Sequence, residues 1–146
     1  MEKFIIRGGK PLSSTMRPSG NKNAALPLMA SCLLTEEPVV LHNLPDITDI
    51  RTMRHLLESL GVKIRQIGDS SSYELHAREV HPSDLDPDIC RQIRASILLA
   101  GPMLARSGGL VLPPPGGDVI GRRRVDTHIL ALSKLGATFS YNGTFQ

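Results

Sequence analysis

The residues with the clearest chemical potential lie in one loop rich in proline, glycine and arginine. Residues 113–126 read Pro-Pro-Pro-Gly-Gly-Asp-Val-Ile-Gly-Arg-Arg-Arg-Val-Asp. The prolines stiffen the loop entry, and the glycines permit backbone geometries closed to other residues. Asp118 lies between glycines beside three arginines, so it is a candidate general acid or base; the competing interpretation is a turn-forming aspartate. Asp126 is either an acid at a helix N-terminus or a ligand contact.

A second set of candidates lies where helices are predicted to begin. Lys22 and Asn23 follow Gly20-Asn21. Free backbone N–H groups at a helix start favour anions, and Lys22 adds a full charge there. Asn23 could cap the helix or donate to a ligand, and the plainer interpretation is a capped helix with one surface lysine. Arg94 occupies a similar place in the second half of the chain, where it could grip phosphate or carboxylate or simply be solvated.

Hydrophobic spacing and Gly/Pro punctuation predict the elements that position these residues in the first half of the chain. An apolar stripe of Met53, Leu56, Leu57 and Leu60 has helical spacing. Thr48 or Asp49 would cap that helix at its start and Gly61 at its end. The predicted elements are a strand at 4–7, a helix at 23–34, a strand at 38–42, a helix to residue 60, and a hairpin at 62–67 and 73–77.

The second half follows nearly the same order. It predicts a helix over 88–106, a strand over 109–112, a helix over 125–135 and a strand over 137–141. Leu60-Gly61-Val62 and Leu135-Gly136-Ala137 are near copies. Alternating strands and helices therefore recur with a period of about 70–75 residues, which indicates an α/β fold built from units that need neighbours. A small domain of two repeats is the alternative.

Composition narrows the function classes. The chain is 40% apolar and only 3% aromatic, with a net charge of +3. An Arg-rich surface favours anionic partners. Nucleic acid is poorly supported as a partner, because the sequence has no recognition-helix signature and few aromatic residues that could stack on bases. The longest apolar stretch, residues 24–34, is too short for a membrane span, and no secretory signal is visible. Cys32 and Cys90 form no metal or disulfide pattern, and the histidines have no metal-binding spacing, so we expect a reduced cytoplasmic protein without a metal.

The motifs resemble those of the UDP-N-acetylglucosamine 1-carboxyvinyltransferase family, over essentially the whole chain. Residues 20–27, Gly-Asn-Lys-Asn-Ala-Ala-Leu-Pro, are similar to its lysine–asparagine motif. Residues 94–97, Arg-Ala-Ser-Ile, followed by Gly101-Pro102, resemble its second arginine motif. Residues 115–123 resemble its catalytic loop, and residues 125–128 and 135–137 continue the likeness.

The resemblance implies an enzyme that moves the enolpyruvyl group of phosphoenolpyruvate to the 3-hydroxyl of UDP-N-acetylglucosamine and releases phosphate. This is the first committed step of peptidoglycan synthesis, and it needs no cofactor. The implied fold is two inside-out α/β barrels, each made of three βαβαββ units, of which this chain carries about two of six. Residues 1–19 would be the first strand of the other domain, and residues 20–146 an incomplete domain on the UDP-sugar side. The remainder of the two-domain enzyme would be the partner of this chain.

The same resemblance implies roles for individual residues. Asp118 would protonate the methylene carbon of phosphoenolpyruvate while the sugar hydroxyl attacks C2, with Lys22 as a second catalytic residue. Lys22, Asn23 and Arg123 would bind phosphoenolpyruvate. The UDP-sugar contacts would come from Arg94, Arg123, Arg124, Val125, Asp126 and Thr127.

Three positions depart from the usual family pattern, and two other functions remain open. Most members carry cysteine where this chain has Asp118, some have lysine in place of Thr48, and many have an aromatic residue in place of Leu98. One alternative is an anion-binding fragment or paralogue without turnover. The other is a related transferase acting on shikimate 3-phosphate, which the Asn21-Lys22-Asn23 and Gly-Gly-Asp motifs fit less well.

Overall fold

The fold is a mixed α/β arrangement with a small antiparallel sheet. The structure is a computed structural model, and it describes residues 3–68, 70–82, 85–117 and 124–141. The helices are α1 (Lys22–Ser31), α2 (Thr48–Ser59), α3 (Pro87–Cys90), α4 (Ala100–Ser107) and α5 (Asp126–Lys134). The strands are β1 (Val39–Leu41), β2 (Lys63–Gln66) and β3 (Tyr73–His76), and 3-10 helices span Cys32–Leu34 and Arg94–Leu99.

The first half of the chain has the predicted order of elements. β3 lies between β1 and β2 and pairs antiparallel with both, with Ile64 and Val39 each opposite Leu75. The predicted hairpin is therefore confirmed. The apolar stripe of α2 is completely buried, as its helical spacing predicts. Gly61 follows the helix with a φ of 99°, a left-handed conformation that favours glycine at this position.

The predicted N-terminal caps of α1 and α2 are wrong by a residue or two. Asn21, rather than Asn23, caps α1: its side-chain oxygen accepts a hydrogen bond from the backbone N–H of Ala24 at 3.1 Å. The N-cap of α2 is Ile47, whose side chain cannot accept a hydrogen bond, and Thr48 and Asp49 lie inside the first turn. The carboxylate of Asp49 is therefore not used as a cap and can pair with a group outside the helix, while its charge still interacts favourably with the helix start.

The single helix predicted over residues 88–106 is wrong, because this segment is broken into three pieces. In a continuous helix the carbonyls of Cys90 and Arg91 would accept from residues four positions later. Here they accept from the backbone N–H groups of Gly116 and Gly117, at 3.2 and 3.0 Å. The chain instead turns through an extended Ile93 before the 3-10 helix begins at Arg94. The carbonyls that a continuous helix would use for its own hydrogen bonds thus accept from a loop that is distant in the sequence.

Three predicted strands are also absent from the described part of the chain, at residues 4–7, 109–112 and 137–141. Leu112 and Tyr141 each form only an isolated bridge. A strand is stabilised by pairing, and the three-stranded sheet takes no further strand on either side among the described residues. Phe4, Ile5 and Ile6 are consequently left between 77% and 94% exposed.

The core is aliphatic, as the scarcity of aromatic residues requires. Helix α1 packs against α2 and the 3-10 helix at residues 94–99, while α4 packs against both 3-10 helices. Helix α5 forms where predicted but has no fully buried residue; only Val125 before it and Leu132 within it pack against the core. In the described ranges no helix combines the length and the apolar character that crossing a membrane requires.

Candidate functional site

An open cleft of about 400 Å³ lies between the start of α1 and the break in the predicted second-half helix. Its walls come from α1, the first turn of α2, the segment around the 3-10 helix, and the beginning of the glycine-rich loop. The lining residues are Lys22, Asn23, Leu26, Pro27, Asp49, Gln92, Ile93, Arg94, Ala95, Ile97, Leu98 and Gly117. Lys22, Asn23 and Arg94, which come from two motifs far apart in the sequence, therefore meet at one cleft.

The start of α1 gives the cleft backbone N–H groups and the polar side chains of Lys22 and Asn23. Backbone N–H groups of the first turn have no partner inside a helix and carry a partial positive charge. Asn21 satisfies one of them at Ala24, which fixes the helix start beside Lys22 and Asn23. Pro27 has no N–H to donate to the carbonyl of Asn23, four residues earlier. The carbonyl of Asn23 therefore lacks its usual partner in the helix, while the side-chain amide of Asn23 can donate to a ligand in the cleft.

Lys22 is held by an ion pair across the two helices. Its Nζ donates to Oδ2 of Asp49 at 2.8 Å, and both side chains are partly exposed, at 49% and 37%. Asp49 is the single carboxylate among the described residues that line the cleft. Arg94 forms no ion pair within the described residues. The cleft thus contains two cations, one of which already has a counter-ion.

The glycine-rich loop is tied to the segment that carries Arg94. A Cβ on Gly116 would lie 1.6 Å from the backbone oxygen of Arg91, so only glycine fits this approach. Gly117 has a φ of 91°, and a Cβ there would lie 3.0 Å from the backbone nitrogen of Arg94. These contacts place the beginning of the loop at the rim of the cleft, beside Arg94.

The other predicted site residues lie elsewhere or outside the described residues. Asp118 and Arg123 fall in the range 118–123, which is outside the described residues. Arg124 is exposed and pairs with the carboxylate of Asp126. These two residues lie at the start of α5, together with the half-buried Val125 and the exposed Thr127. None of the four lines this cleft.

Sequence reasoning missed two polar contributors to the cleft, Asp49 and Gln92. The sequence suggests Asp49 only as a helix cap, because its partner Lys22 is distant along the chain. Gln92 lies inside a predicted helix that does not form. An acid at a helix start beside a conspicuous lysine motif is a weak signal, because helix-start acids are common for local reasons. No pattern in the sequence identifies Gln92.

The two cysteines contribute packing rather than chemistry. Burial raises the pKa of Cys32 from 9.0 to about 12. Burial, with the negative charge of Asp86 as a smaller cause, raises the pKa of Cys90 from 9.0 to about 11. Both thiols are therefore protonated at neutral pH and are poor nucleophiles and poor metal ligands. No group of three or more His, Cys, Asp or Glu side chains that could hold a metal ion occurs in the described ranges.

Comparison with known proteins shows the family of the chain. The EPSP synthase (3-phosphoshikimate 1-carboxyvinyltransferase) family matches residues 6–145 of the chain. The chain belongs to the EPSP synthase family. Within that family, a curated relative from Bradyrhizobium diazoefficiens is 54% identical over 135 residues, which are 92% of this chain and 31% of the relative. A relative from Treponema denticola is 50% identical over 145 residues, 99% of this chain and 34% of the relative. Both are named UDP-N-acetylglucosamine 1-carboxyvinyltransferase.

A solved structure supports the fold. The enolpyruvyl transferase NikO from Streptomyces tendae superposes with a TM-score of 0.73 over 94% of this chain and 30% of that protein, at 23% identity. This member of the EPSP synthase family spans about a third of the length of the curated relatives it matches. Lys22, Asn23 and Arg94 give the cleft two cations and a side-chain amide, which are groups that proteins use to bind phosphate and carboxylate.

Proposed function

We propose that this chain supplies the anion-binding side of an active site that transfers enolpyruvyl from phosphoenolpyruvate to the 3-hydroxyl of UDP-N-acetylglucosamine. The observation that carries the proposal is the meeting of Lys22, Asn23 and Arg94 at one cleft. Two of these side chains are cationic and the third can donate hydrogen bonds, which suits substrates that carry phosphate and carboxylate groups. Two relatives at 54% and 50% identity bear the name of this activity.

In the proposed reaction Lys22, Asn23 and Arg123 hold phosphoenolpyruvate. The sugar hydroxyl forms a bond to C2 and gives its proton to a base supplied by the remainder of the enzyme, while Asp118 donates a proton to the methylene carbon. The C2–O bond to phosphate then breaks and phosphate leaves with the bonding electrons, while the new methyl group returns a proton to the Asp118 carboxylate, which regenerates the double bond and the acid. The carboxyl group of Asp118 must hold a proton at the first step; burial favours that state and neighbouring arginines oppose it.

The UDP-sugar is proposed to contact Arg94, Arg123, Arg124, Val125, Asp126 and Thr127. Since the last four belong to the start of α5, a sugar nucleotide that reached them from Arg94 would extend beyond the cleft. We propose the inside-out barrel of βαβαββ units for the complete domain, with residues 20–146 in the UDP-sugar-side domain and residues 1–19 in the other. The exposed apolar side chains of Phe4, Ile5 and Ile6 support an assignment to a neighbouring body. The remainder of the enzyme would be its partner, and the reaction would serve peptidoglycan synthesis in the cytoplasm.

A second candidate acceptor is shikimate 3-phosphate. It is favoured by the description of the matching family, which is that of a 3-phosphoshikimate 1-carboxyvinyltransferase. Both acceptors use phosphoenolpyruvate as donor, so the two candidates share the anion cleft and differ only in the acceptor.

A fusion protein tests the proposal and separates the two acceptors. Residues 1–146 would replace the matching part of the Bradyrhizobium diazoefficiens relative, of which they cover 31%. We expect phosphate release from phosphoenolpyruvate with UDP-N-acetylglucosamine and not with shikimate 3-phosphate, and no turnover by residues 1–146 alone. Asp118→Asn should lower turnover at least about 100-fold, which is the range for loss of a general acid, while UDP-N-acetylglucosamine still binds.

Asp88→Asn is the matched control for Asp118→Asn, since Asp88 is exposed and pairs with Arg91 outside the cleft lining. It should leave turnover unchanged. Activity only with shikimate 3-phosphate would replace the proposed acceptor. Full turnover by the Asp118→Asn fusion would remove Asp118 from the chemistry, and a folded fusion without either activity would contradict the proposal as a whole.

A further inference from the structure

The ion pair between Lys22 and Asp49 places a negative charge inside a cleft that is otherwise suited to anions. Nζ of Lys22 and Oδ2 of Asp49 are 2.8 Å apart, and both residues line the cleft. Lys22 belongs to the first turn of α1 and Asp49 to the first turn of α2, so the pair joins the starts of two packed helices. An anion bound at Lys22 would therefore meet a carboxylate of the protein at close range.

Helix stability alone does not account for the direction of this side chain. An acid in the first turn of α2 interacts favourably with the helix dipole wherever its carboxylate points. The exposed Asp46, just before the helix, pairs instead with Arg51 at 2.8 Å, outside the lining of the cleft. Both neighbouring acids therefore form ion pairs that solvent reaches, but only the carboxylate of Asp49 lies beside the proposed ligand.

We propose that Asp49 is a built-in counter-ion for Lys22, which holds the lysine ready in the empty cleft and competes with the anion that arrives. This inference rests on the proposed anion site at Lys22 and assigns Asp49 a positioning role that lowers anion affinity. An anion in contact with the ammonium group would weaken the ion pair with Asp49 and so loosen the link between the starts of α1 and α2. Asp49 would thereby make release of the anion easier at the end of each cycle.

The distances set the size of the effect at low ionic strength, where salt does not screen the charges. An anion oxygen in contact with the ammonium lies about 2.8 Å from Nζ, so it is at most about 5.6 Å from Oδ2 of Asp49. Repulsion between unit charges at that separation weakens binding about threefold even at the dielectric constant of water, and more in a partly shielded cleft. Replacing Asp49 by asparagine removes the charge and keeps an oxygen that can accept from Lys22.

The test measures binding of inorganic phosphate to the full 146-residue chain at a constant, low ionic strength. Backbone ¹H–¹⁵N resonances of residues 22–24 report binding at this site, even at millimolar affinity. We expect Asp49→Asn to bind phosphate at least about threefold more tightly than the original chain. Asp46→Asn, which removes the same charge from the pair with Arg51, should leave the affinity unchanged.

The possible outcomes are distinguishable. Unchanged or weaker phosphate binding by Asp49→Asn would overturn the counter-ion role, since a purely structural role predicts one of these two results. If Lys22→Ala binds phosphate as tightly as the original chain, or the original chain does not bind it at residues 22–24, the proposed anion site itself fails. A gain by Asp46→Asn equal to that of Asp49→Asn would show a general charge effect and would also overturn the inference.

Discussion

Gly116→Ala should disrupt the contact that ties the glycine-rich loop to the Arg94 segment. The added Cβ would lie 1.6 Å from the backbone oxygen of Arg91 and 2.3 Å from its carbonyl carbon. Because the obstructing atoms are backbone rather than a flexible side chain, the loop or the segment at residues 90–93 has to move. Cβ contacts under 3.0 Å are essentially never observed, so the displacement must exceed about 1 Å.

Such a displacement separates two hydrogen bonds, those from Gly116 N–H to Cys90 and from Gly117 N–H to Arg91, now 3.2 and 3.0 Å long. Each is worth about 1 kcal/mol net, and unsatisfied carbonyls add to the loss. We therefore expect the free energy of unfolding to fall by about 2–3 kcal/mol. In the fusion protein the Arg94 segment would also shift relative to Lys22, which should reduce kcat/KM for phosphoenolpyruvate at least about tenfold.

Urea denaturation of the 146-residue chain, followed by circular dichroism, measures the change in stability. Gly109→Ala is the matched control: it lies earlier in the same connection, its φ is not positive, and a Cβ there has no atom within 4 Å. Its free energy of unfolding should stay within about 0.5 kcal/mol of the original. If Gly116→Ala is as stable as Gly109→Ala, the loop does not approach Arg91 as described and the reasoning is wrong.

Two further predictions concern the chemistry of Asp118 and of the buried thiols. An epoxide that alkylates a cysteine in the loops of other family members should leave the fusion protein active, because a carboxylate is a poorer nucleophile toward it than a thiolate; mass added at Asp118 with loss of turnover would contradict this, and Asp118→Cys should become sensitive. Cys32 and Cys90, with pKa values of about 12 and 11, should resist thiol reagents at pH 8 unless the chain unfolds. Their pKa values are higher in the folded than in the unfolded state, so the stabilising contribution is complete below pH 9 and is lost as pH rises toward 11–12, at about 1.4 kcal/mol per pH unit for each thiol. A Cys32→Ala/Cys90→Ala variant with the same pH slope would refute this.

The regular elements with a strong local pattern were predictable. Helix α2 has four buried apolar residues at helical spacing and a glycine with positive φ after its end. The hairpin of β2 and β3 alternates polar and apolar residues over a short connection, so its pairing partner is close in sequence. In both cases the residues that stabilise the element are neighbours along the chain, and a pattern read over a short window contains them.

The predictions failed where distant segments compete for the same backbone groups. The apolar residues of the segment 88–106 have helical spacing. However, the N–H groups of Gly116 and Gly117 donate hydrogen bonds to the carbonyls of Cys90 and Arg91, which a helix would need. The predicted strand at residues 4–7 has suitable side chains and no described strand beside it. Local preference is worth only tenths of a kcal/mol per residue, so a few hydrogen bonds made or missing elsewhere outweigh it.

The sequence by itself determined the aliphatic core and the family to which the chain belongs. It also determined the motifs that make Lys22, Asn23 and Arg94 candidate site residues. Only the tertiary structure decided that these three residues share one cleft, and that Asp49 is the counter-ion of Lys22. An ion pair between the starts of two helices depends on how those helices pack. Packing is set by the whole buried surface, and no single stretch of sequence encodes it.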